Sequence, residues 1–86
     1  MTIVFHRNFE KRILRLRAGE RQRLRERLEI FLREPFAAIL NNHPLKGKYV
    51  DCRSINTGGD LRTIYKMIGD DECVFFEIGP HGELYS

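Results

Sequence analysis

The fold turns on one stretch, "YVDCRSINTGGDLRTIYKMIGDDECVFFEI" (residues 49–78). It contains three segments rich in β-branched and aromatic residues: "YVDCRSI" (49–55), "DLRTIYKMI" (60–68) and "CVFFEI" (73–78). Such segments read as strands. Between them stand "NTGG" (56–59) and "GDDE" (69–72). Both combine glycine with Asn or Asp, the residues that adopt tight-turn backbone at least cost. In the middle segment Leu61, Thr63, Tyr65 and Met67 alternate with Arg62, Ile64, Lys66 and Ile68, the period of a strand. The last segment is apolar almost throughout, as in a central or well-covered strand.

Working outward, "PFAAILNNHPLKGK" (35–48) reads as a connector with little regular structure. Before it, Leu24, Leu28 and Phe31, widened by Leu32, form an apolar stripe on a helix from about Glu20 to Glu34, which Pro35 ends. "AGE" (18–20) separates this helix from an earlier one, because Gly19 suits a helix C-terminus. The earlier helix has Phe9, Ile13 and Leu16 on one face, Leu14 beside them, Asn8 as N-cap and Glu10 in its first turn. "TIVFH" (2–6) reads as a first strand. Two helices joined by so short a turn pack antiparallel. The order is β-α-α-β-β-β, which predicts an α+β domain with a helical hairpin on one face of a small antiparallel sheet. The first strand is expected to join that sheet; its neighbour is not legible.

Eighty-six residues predict one domain, 1–86, and a hydrophobic content of 42% supplies one core. No run reaches the roughly 18 apolar residues of a membrane helix. "MTIVFHRNFEKR" lacks the basic start and long apolar stretch of a signal peptide. The expected location is the cytoplasm, with no membrane partner. Cys52 and Cys73 are too few and too far apart for a disulfide framework or a Cys-x-x-Cys clamp, and read as small apolar residues in strands. His6, His43 and His81 have no metal-ligand spacing, so no metal is expected. Charge is uneven. Residues 1–34 hold 10 Lys+Arg and 5 Asp+Glu (+5), whereas 35–86 hold 5 and 7 (−2). A basic first part suits a polyanion or an acidic protein as partner.

If this fold is right, three polar clusters converge. One is "HPLKGK", from His43 through Lys46 to Lys48; the second is Arg53, Asp60 and Arg62 around the 56–59 turn; the third is His81 with Tyr85. Cations, a carboxylate and imidazoles suffice for metal-independent cleavage of RNA, in which a 2′-hydroxyl attacks the adjacent phosphate. A base takes the hydroxyl proton and an acid protonates the leaving 5′-oxygen. Arginine or lysine stabilises charge on the phosphoryl oxygens. Histidine titrates near neutrality and suits either proton role. Each residue also has a plainer reading. His43 before Pro44 can be a loop residue, Lys46 and Lys48 solvated charges, and Asp60 a hairpin end. Arg53 and Arg62 can pair with Asp51, Asp60 or Glu77. Arg21, Arg23, Arg25 and Arg27 alternate, spread around their helix, and read as a solvated, partly Glu-paired surface.

Three ordered motifs go further. They are His43-Pro44-Leu45-Lys46-Gly47, Asp60-Leu61-Arg62-Thr63-Ile64-Tyr65 and Ile78-Gly79-Pro80-His81-Gly82-Glu83-Leu84-Tyr85. Together they resemble the C-terminal half of the RelE/ParE superfamily of bacterial type II toxins, in particular its RelE-like and YafQ-like branch. The likeness covers about residues 35–85. It implies a RelE-like fold and a cofactor-free ribonuclease that cleaves messenger RNA in the ribosomal A site. It also implies a cognate antitoxin that wraps the toxin, and operator DNA bound only through that complex. The branch's functional positions fall on His43, Asp60, His81 and Tyr85. Lys46, Lys48, Arg53 and Arg62 are the expected phosphate ligands on chemical grounds, and Tyr85 the expected stacking surface. This chain departs from the branch in three places. The branch has a second histidine near Ser54, a tryptophan at Leu61 and a threonine at Pro80. Two alternatives therefore stand beside the nuclease: a ParE-like inhibitor of DNA gyrase, and a degenerate toxin that acts only in an antitoxin complex.

Overall fold

A computed structural model describes residues 1–84. Strand β1 (Thr2–Phe5) leads into helices α1 (Arg7–Ile13) and α2 (Ala18–Arg33). After two short 3-10 turns and a two-residue strand β2 (His43–Pro44) come β3 (Arg53–Asn56), β4 (Leu61–Gly69), β5 (Glu72–Pro80) and a final turn of helix, α3 (His81–Leu84). The sheet order is β1-β5-β4-β3-β2. The α+β class and the helical hairpin agree with the sequence reading. The all-antiparallel sheet does not: β1 runs parallel to β5, in the register Thr2–Glu72 to Phe5–Phe75, and the sheet is mixed. A parallel neighbour needs a long crossover rather than a tight turn, so no local signal marks it. The connector also holds more structure than expected, since His43 and Pro44 pair with Ser54 and Arg53.

Helix boundaries shift for physical reasons. His6, not Asn8, caps α1: its Nδ1 accepts the Asn8 amide at 3.0 Å. The Asn8 side chain instead donates to the Phe76 carbonyl and to the Glu77 carboxylate, tying α1 to β5. Gly19 lies in the first turn of α2, where Glu20 Oε1 accepts the Arg17 N–H at 2.8 Å. That bond satisfies an amide at a helix start, where amides lack helical partners.

The helices cover one face of the sheet. Phe9, Leu24, Phe31 and Leu40 meet Ile55, Tyr65, Phe75 and Ile78, and Phe75 is the hub. Its ring lies 5.1 Å from Tyr65, 5.3 Å from Phe31 and 5.9 Å from Phe9, in stacked or edge-on geometry. Leu14 and Leu32, read as flanks of the stripes, are exposed. A register shift between Ile64 and Tyr65 leaves Phe76 unpaired on β5 and packs it on the other face. No helix among the described residues is long and apolar enough to cross a membrane.

Candidate functional site

The face away from the helices is built by strand parity. His43, Ser54 and Ile64 form one cross-strand row, and Asn56, Arg62 and Gly79 the next. Successive side chains alternate between faces, so Arg62, Ile64 and Lys66 share this side of β4. Ile64 is fully buried here, under Leu84 of α3, with Cys52 beside it and Leu45, Tyr49 and Phe76 around them. Strand β5 does not stop at Ile78 as its sequence suggests. It continues through Pro80, and α3 then folds back over Gly79, where an added Cβ would sit 3.5 Å from Glu83 Oε2 and Leu84 Cδ2. The His81 N–H donates to the Asp60 carbonyl at 3.1 Å. The last motif is thereby fixed beside the start of β4.

The structure thus places Asp60, Arg62 and His81 at one end of the sheet, with His43 on the same face as Arg62 but two strands from β4, in the Ser54–Ile64 row. The His43 ring has a set orientation. Its Nδ1 lies 2.7 Å from the Asn41 carbonyl, which can only accept, so Nδ1 carries a proton. In the neutral ring Nε2 then keeps its lone pair and can take a proton from a substrate. Asn41 presents that carbonyl from a left-handed conformation, φ 45°. Arg62 Nη1 donates to the Gly59 and Leu61 carbonyls at 3.1 Å. Lys46 is exposed at the start of a 3-10 turn, and Lys48 Nζ lies 5.1 Å above the Tyr49 ring, which packs against Phe76. Tyr85 lies outside the described residues.

Arg53 is not brought to this face. It pairs with Tyr65 in register and therefore points to the helix side. Its Nε donates to Asn42 Oδ1 at 2.7 Å, and its guanidinium lies 5.1 Å over the Phe36 ring. Asn42 Nδ2 in turn donates to the Tyr65 hydroxyl at 2.7 Å and to the Pro35 carbonyl at 2.9 Å. Arg53 therefore anchors the connector through Asn42 rather than pairing with Asp51, Asp60 or Glu77.

Two residues of the site were not singled out in the sequence. Ser54 is fully buried beside His43, and Lys66 is exposed on the same face. The Arg62-x-Ile64-x-Lys66 alternation was the available signal for Lys66. Burial pushes the Cys52 thiol up despite the opposing charge of Lys66, so this thiol stays protonated at neutral pH. No group of three or more His, Cys, Asp or Glu that could hold a metal ion occurs among the described residues.

Neither a protein-family model nor a curated protein sequence matches the chain. Solved structures do, over nearly its whole length. The fold is that of the RelE/ParE superfamily toxins, with YafQ-like members among them. The chain is similar to YafQ from E. coli strain BL21(DE3), with TM-score 0.78, 22% identity, and 98% of this chain and 97% of that one covered. It is similar to a YoeB/ParE toxin from Agrobacterium tumefaciens, with TM-score 0.78, 20% identity and 94% and 99% coverage. It is also similar to a chain of the archaeal RelE–RelB complex from Pyrococcus horikoshii OT3, with TM-score 0.76, 22% identity and 94% coverage of each.

Proposed function

We propose that residues 1–86 form one domain, the toxin of a type II toxin–antitoxin pair, and that it cleaves messenger RNA on the ribosome without a metal or cofactor. The observation that carries this reading is the His81–Asp60 backbone bond, which holds an imidazole-bearing turn over the face that presents His43, Arg62 and Lys66. The substrate 2′-oxygen attacks phosphorus and the P–O5′ bond breaks, giving a 2′,3′-cyclic phosphate and a 5′-hydroxyl. His43 Nε2 or the Asp60 carboxylate takes the 2′-hydroxyl proton, and His81 delivers a proton to O5′. Arg62, Lys66, Lys46 and Lys48 offset the phosphoryl charge. Tyr85 stacks on a base. Arg53 serves the connector.

An antitoxin partner fits the chemistry of the opposite edge. β1 is an edge strand that leaves Val4 and Phe5 exposed beside a groove of about 470 Å³ lined by Phe5, Arg7, Glu10, Lys11, Ile13 and Leu14. An amphipathic acidic segment suits it, because residues 1–34 carry +5. The DinJ–YafQ toxin–antitoxin complex and the RelE–RelB complex are among the similar structures, which supports that partner. Operator DNA is reached only through the antitoxin complex, and the site of action is cytoplasmic.

The test is induction of the chain without antitoxin, with primer extension on a translated message and a plasmid supercoiling assay. Growth arrest with message cleavage, both lost in His81→Ala, is the expected result. Unchanged cleavage in His81→Ala overturns the role of His81. Intact message with lost supercoiling moves the activity to gyrase, and no growth effect leaves only a role in an antitoxin complex.

A further inference from the structure

Three guanidinium groups gather on the β3–β4 turn, and two of them come from a helix that reads in sequence as a solvated surface. Arg23 and Arg27 stand one turn apart on α2. The Arg23 stem lies on Gly58, so that an added Cβ there would meet its Cδ and Nε at 2.9 Å. Gly58 is buried and has φ +116°, a conformation that L side chains rarely adopt. The turn backbone thus leaves room for the arginine. Arg27 Nη1 donates to the Asn56 carbonyl at 3.5 Å. From the other strand, Arg62 Nη1 donates to the Gly59 and Leu61 carbonyls.

None of the three has a carboxylate within ion-pair distance; the ion pairs among the described residues are Met1–Asp71 and Arg12–Glu77. The carboxylates nearest in sequence on α2 are otherwise engaged. Glu20 accepts the Arg17 amide and Glu26 accepts from Gln22. Asp60, exposed, is the one acid of the turn. Each guanidinium has five N–H donors, and carbonyl oxygens take only one or two of them at Arg27 and Arg62. A cluster of three cations facing one carboxylate has unused charge and unused donors, both of which suit phosphate oxygens.

We propose that Arg23 and Arg27, beside Arg62 on the same turn, form a binding site for the phosphates of an RNA strand that flank the cleaved one. The proposal deepens the nuclease reading and rests on it for the identity of the strand. The position supports it, because the carbonyl of Asp60 in the same turn also fixes the His81 amide. The strand leaves the reaction centre over the β3–β4 turn and along the Arg23–Arg27 side of α2. Arg21 and Arg25 are excluded. Two residues along a helix is about 200° around it, so they face away from the turn.

The experiment titrates the purified full chain into a labelled single-stranded RNA with 2′-O-methyl groups, which cannot be cleaved, over a series of salt concentrations. Each phosphate contact contributes ~0.7 to the slope of log affinity against log salt for single strands. The Arg23→Gln/Arg27→Gln pair is expected to lower the slope by about 1.4, with the Lys pair restoring most of it. Arg21→Gln/Arg25→Gln, which removes the same charge, is expected to leave the slope unchanged. Equal losses in the two Gln pairs, or no loss in either, overturn the site. If the Gln pair fails to fold, the single variants Arg23→Gln and Arg27→Gln carry the test: a slope lowered by about 0.7 in each upholds the site, and an unchanged slope in both refutes it. Cleavage is scored separately on unmodified message. Binding with the expected slopes but no cleavage keeps this site and refutes the nuclease reading, whereas cleavage with flat slopes does the reverse.

Discussion

Leu84→Ala should unlatch the C-terminal turn from the candidate-site face while leaving the sheet intact. Leu84 is 3% exposed and packs on Ile64 and Cys52. The His81–Asp60 backbone bond also holds α3. Burying a leucine contributes about 1.5–3 kcal/mol. A backbone hydrogen bond adds about 1 kcal/mol. Ordering the backbone of four residues opposes docking by ~4–8 kcal/mol, so loss of the Leu84 contact bears directly on whether the turn stays docked. Removing about 2 kcal/mol raises the ratio of undocked to docked turn about 30-fold. Amide hydrogen exchange followed by NMR reads this directly. Protection of the His81 amide should fall about 30-fold, while that of amides in the centre of β5 changes little, since Phe75 and its aromatic partners are untouched. Message cleavage should fall with the His81 protection. Two results refute the reasoning. Unchanged His81 protection means that Leu84 is not the latch, and an equal loss in β5 means that α3 unfolds only with the core.

Gly58→Ala should cost about 2 kcal/mol from its φ of +116° and its clash with Arg23, seen as a melting temperature lowered by about 10 °C. Gly59→Asn, at φ +54° with open space around it, should cost far less in the same melts. Arg53→Ala should lower stability by about 2 kcal/mol, through the lost Asn42 bond and Phe36 contact, yet leave the salt slope of RNA binding unchanged. A flattened slope would return Arg53 to the substrate. Burial, the largest cause, raises the Cys73 thiol from 9.0 to about 11. The folded state therefore holds that proton more tightly than the unfolded state, and the stability it contributes is complete below about pH 9 and lost as pH rises towards 11. Chemical denaturation across pH 8 to 11 should show this fall, and Cys73→Ala should flatten it.

What the sequence disclosed follows from how local each signal is. β3 to β5 and their turns were legible because period-two alternation and Asn-Thr-Gly-Gly or Gly-Asp-Asp glycines lie within a few residues of each other. β1 against β5 was not, since 69 residues separate Phe5 from its partner Phe75 and parallel pairing leaves no turn between them. The end of β5 was misplaced because Gly79-Pro80 reads as a turn. In the fold β1 ends opposite Phe75, so beyond that point one edge of β5 is open, and an open edge tolerates a residue with no N–H. His43, Asp60 and His81 were visible as residue types in motifs, but the contact that joins two of them, His81 N to Asp60 O, is made by backbone and has no sequence signature.

The arginines show the same limit more sharply. Arg53 and Arg62 are chemically identical and both lie on strands, yet register decides between them. Arg53 pairs with Tyr65 and Arg62 with Asn56, which puts one under the helices and the other on the open face. Arg21, Arg23, Arg25 and Arg27 alternate evenly in sequence, and the buried Gly58 under Arg23 and the Arg27–Asn56 bond distinguish the pair that faces the turn from the pair that does not. A net charge of +3 is modest for the proposed RNA-cleaving role. Its effect comes from placement: cations converge on one turn and one sheet face, while Asp70, Asp71 and Glu72 sit at the far end of β4. On the proposed function, a strand bound along that gradient is held at the His81 end, where the electrostatic attraction and the proposed proton-transfer groups coincide.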